Sequence, residues 1–177
     1  PGAKAGGPNY VLQLMNVRSI GPPKETGEID SALRRAWLDP IGDALEDERE
    51  ALERAMASYA HHMETTFERV HDPTGIPGED NLLRYQPCRE VLVRLGEGSR
   101  PGDAARVMLA AAVAGCNLQV SAHPEAPVGA VLNALPSQVV TLRETDSALA
   151  ERIGEVKVDR VRALGALADD LRLSLHG

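Results

Sequence analysis

The strongest candidate for a functional motif is a glycine-rich loop in the middle of the chain, Gly96-Glu97-Gly98-Ser99-Arg100-Pro101-Gly102. A dinucleotide-binding loop has the pattern G-x-G-x-x-G, because its glycines let the backbone approach the pyrophosphate and the sheet closely. In this chain proline stands at the third glycine position, and Glu97 would bring negative charge to the phosphates. The end of the next predicted strand runs Ser121-Ala122-His123 without an acid to hold a ribose, and the first acid beyond it is Glu125. The loop therefore predicts an ordinary strand-to-helix connection with no cofactor-binding residue.

Histidines and acids are concentrated further upstream, at His61, His62, Glu64, Glu68 and His71. The zinc motif H-E-x-x-H is absent, and two consecutive residues point about 100° apart on a helix, so His61 and His62 do not face one ion. The acids Asp72, Glu79 and Asp80 lack the ligand spacing of a calcium loop. We expect a solvated helix face and no metal site.

The two cysteines, Cys88 and Cys116, have no neighbour in sequence that would activate a thiolate. A free cysteine most often behaves as a small buried hydrophobic residue. No local group of residues supplies a nucleophile, a base and an oxyanion hole, so we expect no catalytic residue in this chain.

Strands and helices alternate over the second half of the chain. The predicted strands are 91–95, 118–121, 138–142 and 161–164, and the predicted helices are 103–114, 126–134, 146–153 and 166–175. Such alternation is typical of βαβ crossovers and a mostly parallel sheet. The predicted fold class is α/β: a short strand and a long amphipathic helix, followed by a small, degenerate Rossmann-like domain.

The long helix is predicted to begin at Asp39-Pro40, since aspartate caps helices well and proline is tolerated at the first helical position. Apolar residues then recur three, four or seven apart, at Leu38, Ile41, Leu45, Leu52, Met56, Tyr59, Met63, Phe67 and Val70. This spacing predicts one buried stripe on a helix of roughly thirty residues. We expect truncation of Phe67 to cost ~3–5 kcal/mol, and His61→Ala or His62→Ala to change stability by about 0.5 kcal/mol or less.

Composition excludes several classes of protein. The 177 residues carry 26 acids against 19 Lys and Arg, a net charge of −7, and only 3% are aromatic. A nucleic-acid binder needs a basic face and usually stacking rings, so nucleic acid is not an expected partner. No apolar run approaches the ~20 residues of a membrane span. Two cysteines cannot form a disulfide framework, which favours a reducing compartment, and we expect the cytoplasm.

Two runs of sequence resemble a known family. Lys4-Ala5-Gly6-Gly7-Pro8-Asn9-Tyr10-Val11 is similar to the segment that closes the catalytic domain of Δ1-pyrroline-5-carboxylate (L-glutamate γ-semialdehyde) dehydrogenases, including bifunctional proline-utilisation enzymes. Asp72-Pro73-Thr74-Gly75 together with Gly78–Pro87 resembles the run that heads the C-terminal domain of long proline-utilisation proteins. The matching positions, to which a structural role is assigned, are Lys4, Gly6, Gly7, Pro8, Tyr10, Pro73, Thr74, Gly75, Glu79 and Asn81.

The resemblance implies a parent enzyme that oxidises glutamate semialdehyde to glutamate with NAD⁺, and that also uses FAD if it is bifunctional. In that family the nucleophilic cysteine, the base glutamate and the NAD site all precede the segment that matches here, so no catalytic role passes to Cys88 or Cys116. The implied domains are the end of the catalytic domain with a strand of the oligomerisation flap (1–20), a linker and long helix (21–80), and a truncated Rossmann-like domain (81–177).

The chain begins at Pro1 rather than at a methionine, and we expect it to be an excerpt from a longer polypeptide. Its implied partners are the upstream catalytic domain of that polypeptide and further copies in a homo-oligomer. Two other functions remain open: a stand-alone nucleotide-binding domain, and a protein-interaction domain without catalysis.

Overall fold

The computed structural model describes residues 21–175. Helical segments come first: α1 (Ser31–Leu33), a π-helical turn (Arg34–Leu38), α2 (Asp39–Ala44), a 3-10 turn (Glu46–Glu48), α3 (Arg49–His62) and a second π turn (Met63–Phe67). Two short strands follow, β1 (Val70–His71) and β2 (Leu83–Arg84). The remaining elements are β3 (Glu90–Leu95), α4 (Pro101–Val113), β4 (Asn117–Ala122), α5 (Gly129–Asn133), β5 (Val140–Arg143), α6 (Asp146–Arg152), a 3-10 turn (Ile153–Glu155), β6 (Arg160–Leu164) and α7 (Asp169–Ser174).

The main sheet has four strands in the order β5-β4-β3-β6, and every pairing in it is parallel. The first strand of this sheet, β3, is therefore central, with the next two strands on one side and the fourth on the other. This order, third-second-first-fourth, is that of the first four strands of a doubly wound dinucleotide-binding fold. The predicted α/β class with a Rossmann-like parallel sheet is confirmed.

The two faces of the sheet bury different residues of β3. Val91, Val93 and Leu95 pack with α4 and the N-terminal helices, whereas Leu92 packs with Leu149 of α6 and Leu171 of α7. This alternation follows from the two-residue period of a strand, which sends successive side chains to opposite faces. Because both faces are covered, β3 is apolar almost throughout, as expected of a central parallel strand.

The four predicted strands and four predicted helices of the second half all occur, with boundaries shifted by a few residues. The end of α4 shows why the sequence was informative here. Gly115 adopts φ +70°, its N–H donates to the Ala112 carbonyl at 3.0 Å, and the Cys116 N–H donates to the Ala111 carbonyl at 3.0 Å. A left-handed glycine with these two bonds is a standard helix terminator.

The prediction of one long helix beginning at Asp39 is wrong. The helical segment begins at Ser31, because the Asp30 carboxylate accepts hydrogen bonds from the Ala32 and Leu33 N–H groups at 2.9 and 3.0 Å. A π turn precedes Pro40, whose nitrogen cannot donate a hydrogen bond. The helix then stops at Leu45, where φ −132° and ψ 57° lie outside the helical region.

The prediction of one buried stripe is also corrected. Leu38, Ile41, Leu52 and Met56 are buried, but Phe67 is 44% exposed and Val70 is 50% exposed. Buried stripe residues on both sides of the bend at Leu45 belong to one core with the sheet, whereas the exposed ones lie at the end of the stripe. The cost of ~3–5 kcal/mol expected for truncating Phe67 assumed full burial and does not hold for this chain.

The small antiparallel pair of β1 and β2 was not predicted. It joins Val70 to Arg84 and His71 to Leu83, and so closes the loop between them. Within residues 21–175, no helix is long and apolar enough to span a bilayer.

Candidate functional site

The crevice between β3 and β6 is the place where a doubly wound sheet binds its ligand, because the strand order reverses there. In this chain the crevice is closed by backbone contacts. The Gly96 N–H donates to the Leu164 carbonyl at 2.8 Å, and the Ser99 hydroxyl donates to the same carbonyl at 2.9 Å. A Cβ atom on Gly96 would lie 2.2 Å from the Ala166 carbonyl oxygen. The glycine at this position therefore serves the close approach of two loops.

The N-terminus of α4, where a pyrophosphate would bind, is covered by a side chain from the N-terminal helices. A Cβ atom on Gly102 would lie 1.8 Å from a carboxylate oxygen of Glu48. The same Glu48 oxygen accepts a hydrogen bond from Arg106 at 2.9 Å, and Arg106 also pairs with Asp103 at 2.9 Å. Negative charge is favourable near a helix N-terminus, so the Glu48 carboxylate is well placed beside the first turn of α4.

A buried ionic cluster lies on the opposite face of the sheet, formed by Arg94, Ser121, Glu144, Asp146 and Arg152. Arg94 is fully buried. Its guanidinium donates to Asp146 Oδ1 at 2.5 and 3.1 Å, to the Ser121 hydroxyl at 2.8 Å and to the Glu144 carbonyl at 3.0 Å. Sequence reasoning missed this Arg94 cluster, and its one local signal was an arginine inside an otherwise apolar strand.

The outer part of the Arg94 cluster contains a second ion pair. Arg152 donates to both carboxylate oxygens of Glu144 at 2.5 and 2.8 Å, and the Ser121 hydroxyl donates to Glu144 at 2.6 Å. The hydrogen bonds from Arg152 hold the pKa of Glu144 below its usual range, although burial opposes them.

Asp146 is stabilised in its charged form in a different way. Burial alone would raise the pKa of Asp146, but a hydrogen bond from the Ala168 N–H and the bond and charge of Arg94 outweigh it and lower the pKa. Every charged group of the cluster thus has a partner, and the buried guanidinium of Arg94 has no side open to a substrate. The arrangement supports packing rather than catalysis.

His61 and His62 lie at the end of α3, and His71 lies in β1. The rings of His61 and His62 meet edge to face with centroids 5.2 Å apart, and His71 Nε2 makes a 2.7 Å hydrogen bond with the Thr66 carbonyl. Among residues 21–175 no group of three or more His, Cys, Asp or Glu side chains is placed to hold an ion.

The motif residues of the 72–81 loop form a turn stabilised by Asp72. One Asp72 oxygen accepts hydrogen bonds from the Thr74 N–H, the Thr74 hydroxyl and the Gly75 N–H, at 2.9 to 3.0 Å. The bond from Gly75 contributes most to lowering the pKa of Asp72. Asn81 Nδ2 then donates to Thr74 at 3.0 Å and to Glu79 at 3.4 Å, which ties the end of the loop to its start. Pro73 lies within this turn.

These contacts are those of a structural turn, and the structural role assigned to this motif stays a prediction. The other motif positions, Lys4, Gly6, Gly7, Pro8 and Tyr10, lie outside the described residues, as does the predicted flap strand.

A groove of about 1210 Å³ lies beside α4. Its walls are the end of α3 with the following π turn, the β1–β2 pair, the second half of α4, and the edge strand β6. We refer to this concavity as the open groove. Cys88 and Cys116 both line it and are half-buried. Burial raises the pKa of the Cys116 thiol, and the nearby Cys88 and Asp159 raise it further. A raised pKa disfavours the thiolate, so the open groove has no activated nucleophile at Cys116.

The chain was compared with known proteins. No protein-family model matches it, and no curated protein matches its sequence. Among solved structures it is similar to proline utilization A (PutA) from Corynebacterium freiburgense, with 24% sequence identity and a TM-score of 0.49. The match covers 98% of this chain and 16% of that chain.

Proposed function

We propose that this chain is a non-catalytic C-terminal covering unit of an NAD-dependent L-glutamate γ-semialdehyde dehydrogenase of proline catabolism. The observation that carries the non-catalytic part is the closed crevice. Glu48 covers the N-terminus of α4, and Gly96 is hydrogen-bonded directly to Leu164, at the two places that a dinucleotide needs. A sheet that retains nucleotide-domain topology without the open crevice is suited to packing.

The parent activity rests on the two sequence runs that resemble this dehydrogenase family. In this proposal NAD⁺ binds to the upstream catalytic domain, FAD is present if the parent also oxidises proline, and the whole polypeptide forms a cytoplasmic homo-oligomer. This chain binds neither cofactor. It contributes to assembly by covering the catalytic domain.

The proposal is tested first by determining the coding sequence upstream of Pro1. We expect the reading frame to continue into an aldehyde dehydrogenase domain with a nucleophilic cysteine and a base glutamate. A start codon immediately before Pro1 would contradict the parent assignment. Deleting residues 21–177 from the parent should then impair assembly, as measured by light scattering, while the catalytic residues remain present.

The absence of a cofactor site is tested separately by titrating the 177-residue chain with NAD⁺ in a calorimeter. We expect no saturable heat and no increase in melting temperature. Saturable binding that is abolished by Gly96→Ala, but retained in Gly154→Ala, would contradict the closed crevice. Gly154 is a suitable control because a Cβ atom there would meet nothing within 4 Å.

A further inference from the structure

The open groove has an apolar floor. Val91 of β3 and Val107 and Ala111 of α4 line its base. The side of the groove formed by α4 also carries Ala110 and Ala114, whose small side chains project little from the helix. Small side chains let a second helix approach α4 closely, since the distance between packed helices depends on the side chains at their contact. The exposed side chains of Phe67 and Val70 extend this apolar surface beyond the floor.

The rim of the open groove is basic, although the chain as a whole is acidic. Of the residues within 21–175 that line it, one is an acid, Glu68, and five are arginines: Arg69, Arg84, Arg106, Arg160 and Arg162. The net charge of the chain is −7. A local excess of guanidinium groups against this background favours a partner that carries carboxylates.

Three of these arginines are unpaired within the described part of the chain. The side chains of Arg84, Arg160 and Arg162 form no hydrogen bond or ion pair with any residue of 21–175. Arg160 and Arg162 are two residues apart on β6, opposite Val91 and Val93 of β3, so both point to the α4 face. By contrast, Arg106 already pairs with Glu48. The arginines without a partner in residues 21–175 thus lie on two walls of the open groove, Arg160 and Arg162 on β6 and Arg84 on β2.

The size and the lining of the open groove favour a polypeptide partner. Its volume of about 1210 Å³ exceeds the ~300–1,000 Å³ of small-molecule sites. An aliphatic floor with an arginine edge suits an amphipathic helix, which places apolar residues at positions i, i+3, i+4 and i+7. Three aromatic rings, Tyr59, Phe67 and Tyr85, line the walls of the open groove. Phe67 and Tyr85 meet edge to face with centroids 5.1 Å apart, and the floor is made of Val and Ala, so the described residues offer no row of open ring faces on which successive bases of a nucleic acid would stack.

We propose that the open groove binds an amphipathic helix of a partner polypeptide, with its apolar face on α4 and its carboxylates on Arg84, Arg160 and Arg162. This proposal names the chemistry of a partner for the covering unit, but it does not depend on the activity of the parent. If the parent assignment fails, the groove and its charges are unchanged. If the groove binds no such helix, the closed crevice still excludes a nucleotide.

The experiment uses the full 177-residue chain and two fluorescein-labelled peptides of about 15 residues, a length at which a helix can be stabilised by packing. Both peptides carry leucine at helical spacing, and they differ only in having glutamate or lysine along one flank. We expect the glutamate peptide to bind, as measured by fluorescence anisotropy, and its affinity to fall as salt is added. The lysine peptide should bind at least tenfold more weakly.

The site is assigned with a charge-reversed variant and a matched control. Arg160→Glu with Arg162→Glu should weaken binding of the glutamate peptide at least tenfold. The control, Arg35→Glu with Arg172→Glu, makes the same change in net charge at two arginines outside the groove, and it should leave the affinity unchanged. Circular dichroism of both variants establishes that they fold.

The thiols of Cys88 and Cys116 report occupancy directly, because both line the open groove. The glutamate peptide should slow their reaction with Ellman's reagent. Equal binding of both peptides, no binding of the glutamate peptide, equal weakening in the control variant, or unprotected thiols would each overturn the proposal. Tighter binding of a labelled thymidine oligonucleotide that is lost on Arg160→Glu with Arg162→Glu would overturn it in favour of nucleic acid.

Discussion

Arg94 shows how a single residue links three elements of this molecule. It lies on the central strand β3, and its guanidinium bonds to Ser121 of β4 and to Asp146 of α6. A charge buried this completely is tolerated because each contact is charge-assisted or uses a polar group that would otherwise be unsatisfied. The network fixes α6 over the sheet, and so also fixes the loop that Asp146 holds through the Ala168 N–H at 2.6 Å.

We predict that Arg94→Leu destabilises the chain by ~3–5 kcal/mol, because it leaves the largely buried Asp146 carboxylate without its ion-pair partner. The free energy of unfolding is measured with urea. The matched control is Arg100→Leu, since the Arg100 side chain is 79% exposed and its 3.9 Å pair with Asp103 lies at the surface. This control should change stability by about 0.5 kcal/mol or less. A similarly small change for Arg94→Leu would mean that the cluster contributes no net stability.

The lowered pKa of Glu144 makes a prediction about pH. Because this pKa is depressed on folding, the stability that it adds is complete above the unfolded value of about 4.5 and is lost as the pH falls through the folded value. Asp146, whose pKa is also lowered, behaves in the same sense. In Glu144→Gln the free energy of unfolding should therefore fall less steeply as the pH decreases below about 4.5.

The measurement is a series of urea titrations from neutral pH into this acidic range. Glu97→Gln, in the exposed loop after β3, is the control and should keep the slope of the unsubstituted chain. An identical slope for Glu144→Gln would show that its ion pair with Arg152 does not contribute to acid stability.

Among the elements, the second half of the chain was predictable because its signals are local. The apolar run of β3, the alanine-rich α4 and the glycine that ends it all follow one another in sequence. The bend at Leu45 has no comparable signal, and Asp30 competes with Asp39 as a cap, so the long helix was predicted wrongly.

The interactions that sequence reasoning missed join distant residues. Arg94 bonds to residues 27 to 52 positions away, and Glu48 meets Arg106 across 58 positions. Such pairs depend on the order of the strands and on helix docking, neither of which a local pattern encodes. For the same reason the open groove was not predicted, since its walls come from four separate parts of the chain.

At the end of α4, Gly115→Ala should cost about 1 kcal/mol, because a Cβ atom disfavours the left-handed conformation that Gly115 adopts. Gly154→Ala is the matched control: it also adds one methyl group on the surface, at a position where φ is not left-handed. Thermal unfolding followed by circular dichroism compares the two. Equal melting temperatures would indicate that the helix end relaxes to another conformation at no cost.

For the whole molecule, the decisive feature is a single core that joins the N-terminal helices to the sheet domain. Trp37, Leu52 and Met56 belong to the same buried cluster as Val93 and Met108. The Arg106–Glu48 ion pair crosses the same boundary. Two parts that share their core in this way are expected to unfold together.

The resulting prediction concerns Met56→Ala, which removes a fully buried side chain between α3 and the sheet domain. It should lower the free energy of unfolding by ~2–5 kcal/mol. Trp37 is the one tryptophan of the chain and lies in the N-terminal helices, so its fluorescence reports that part, whereas far-ultraviolet circular dichroism reports the whole. The fluorescence and circular dichroism transitions should both shift, by the same amount, to a lower urea concentration.

Phe67→Ala is the matched control for Met56→Ala, because Phe67 is exposed at the open groove and should cost less in spite of its larger side chain. If Met56→Ala shifted the tryptophan transition alone, residues 21–80 would form a unit that unfolds separately from 81–177. The predicted division of the chain at residue 80 would then describe two domains. Coincident transitions would instead mean that the helices and the sheet form one cooperative unit.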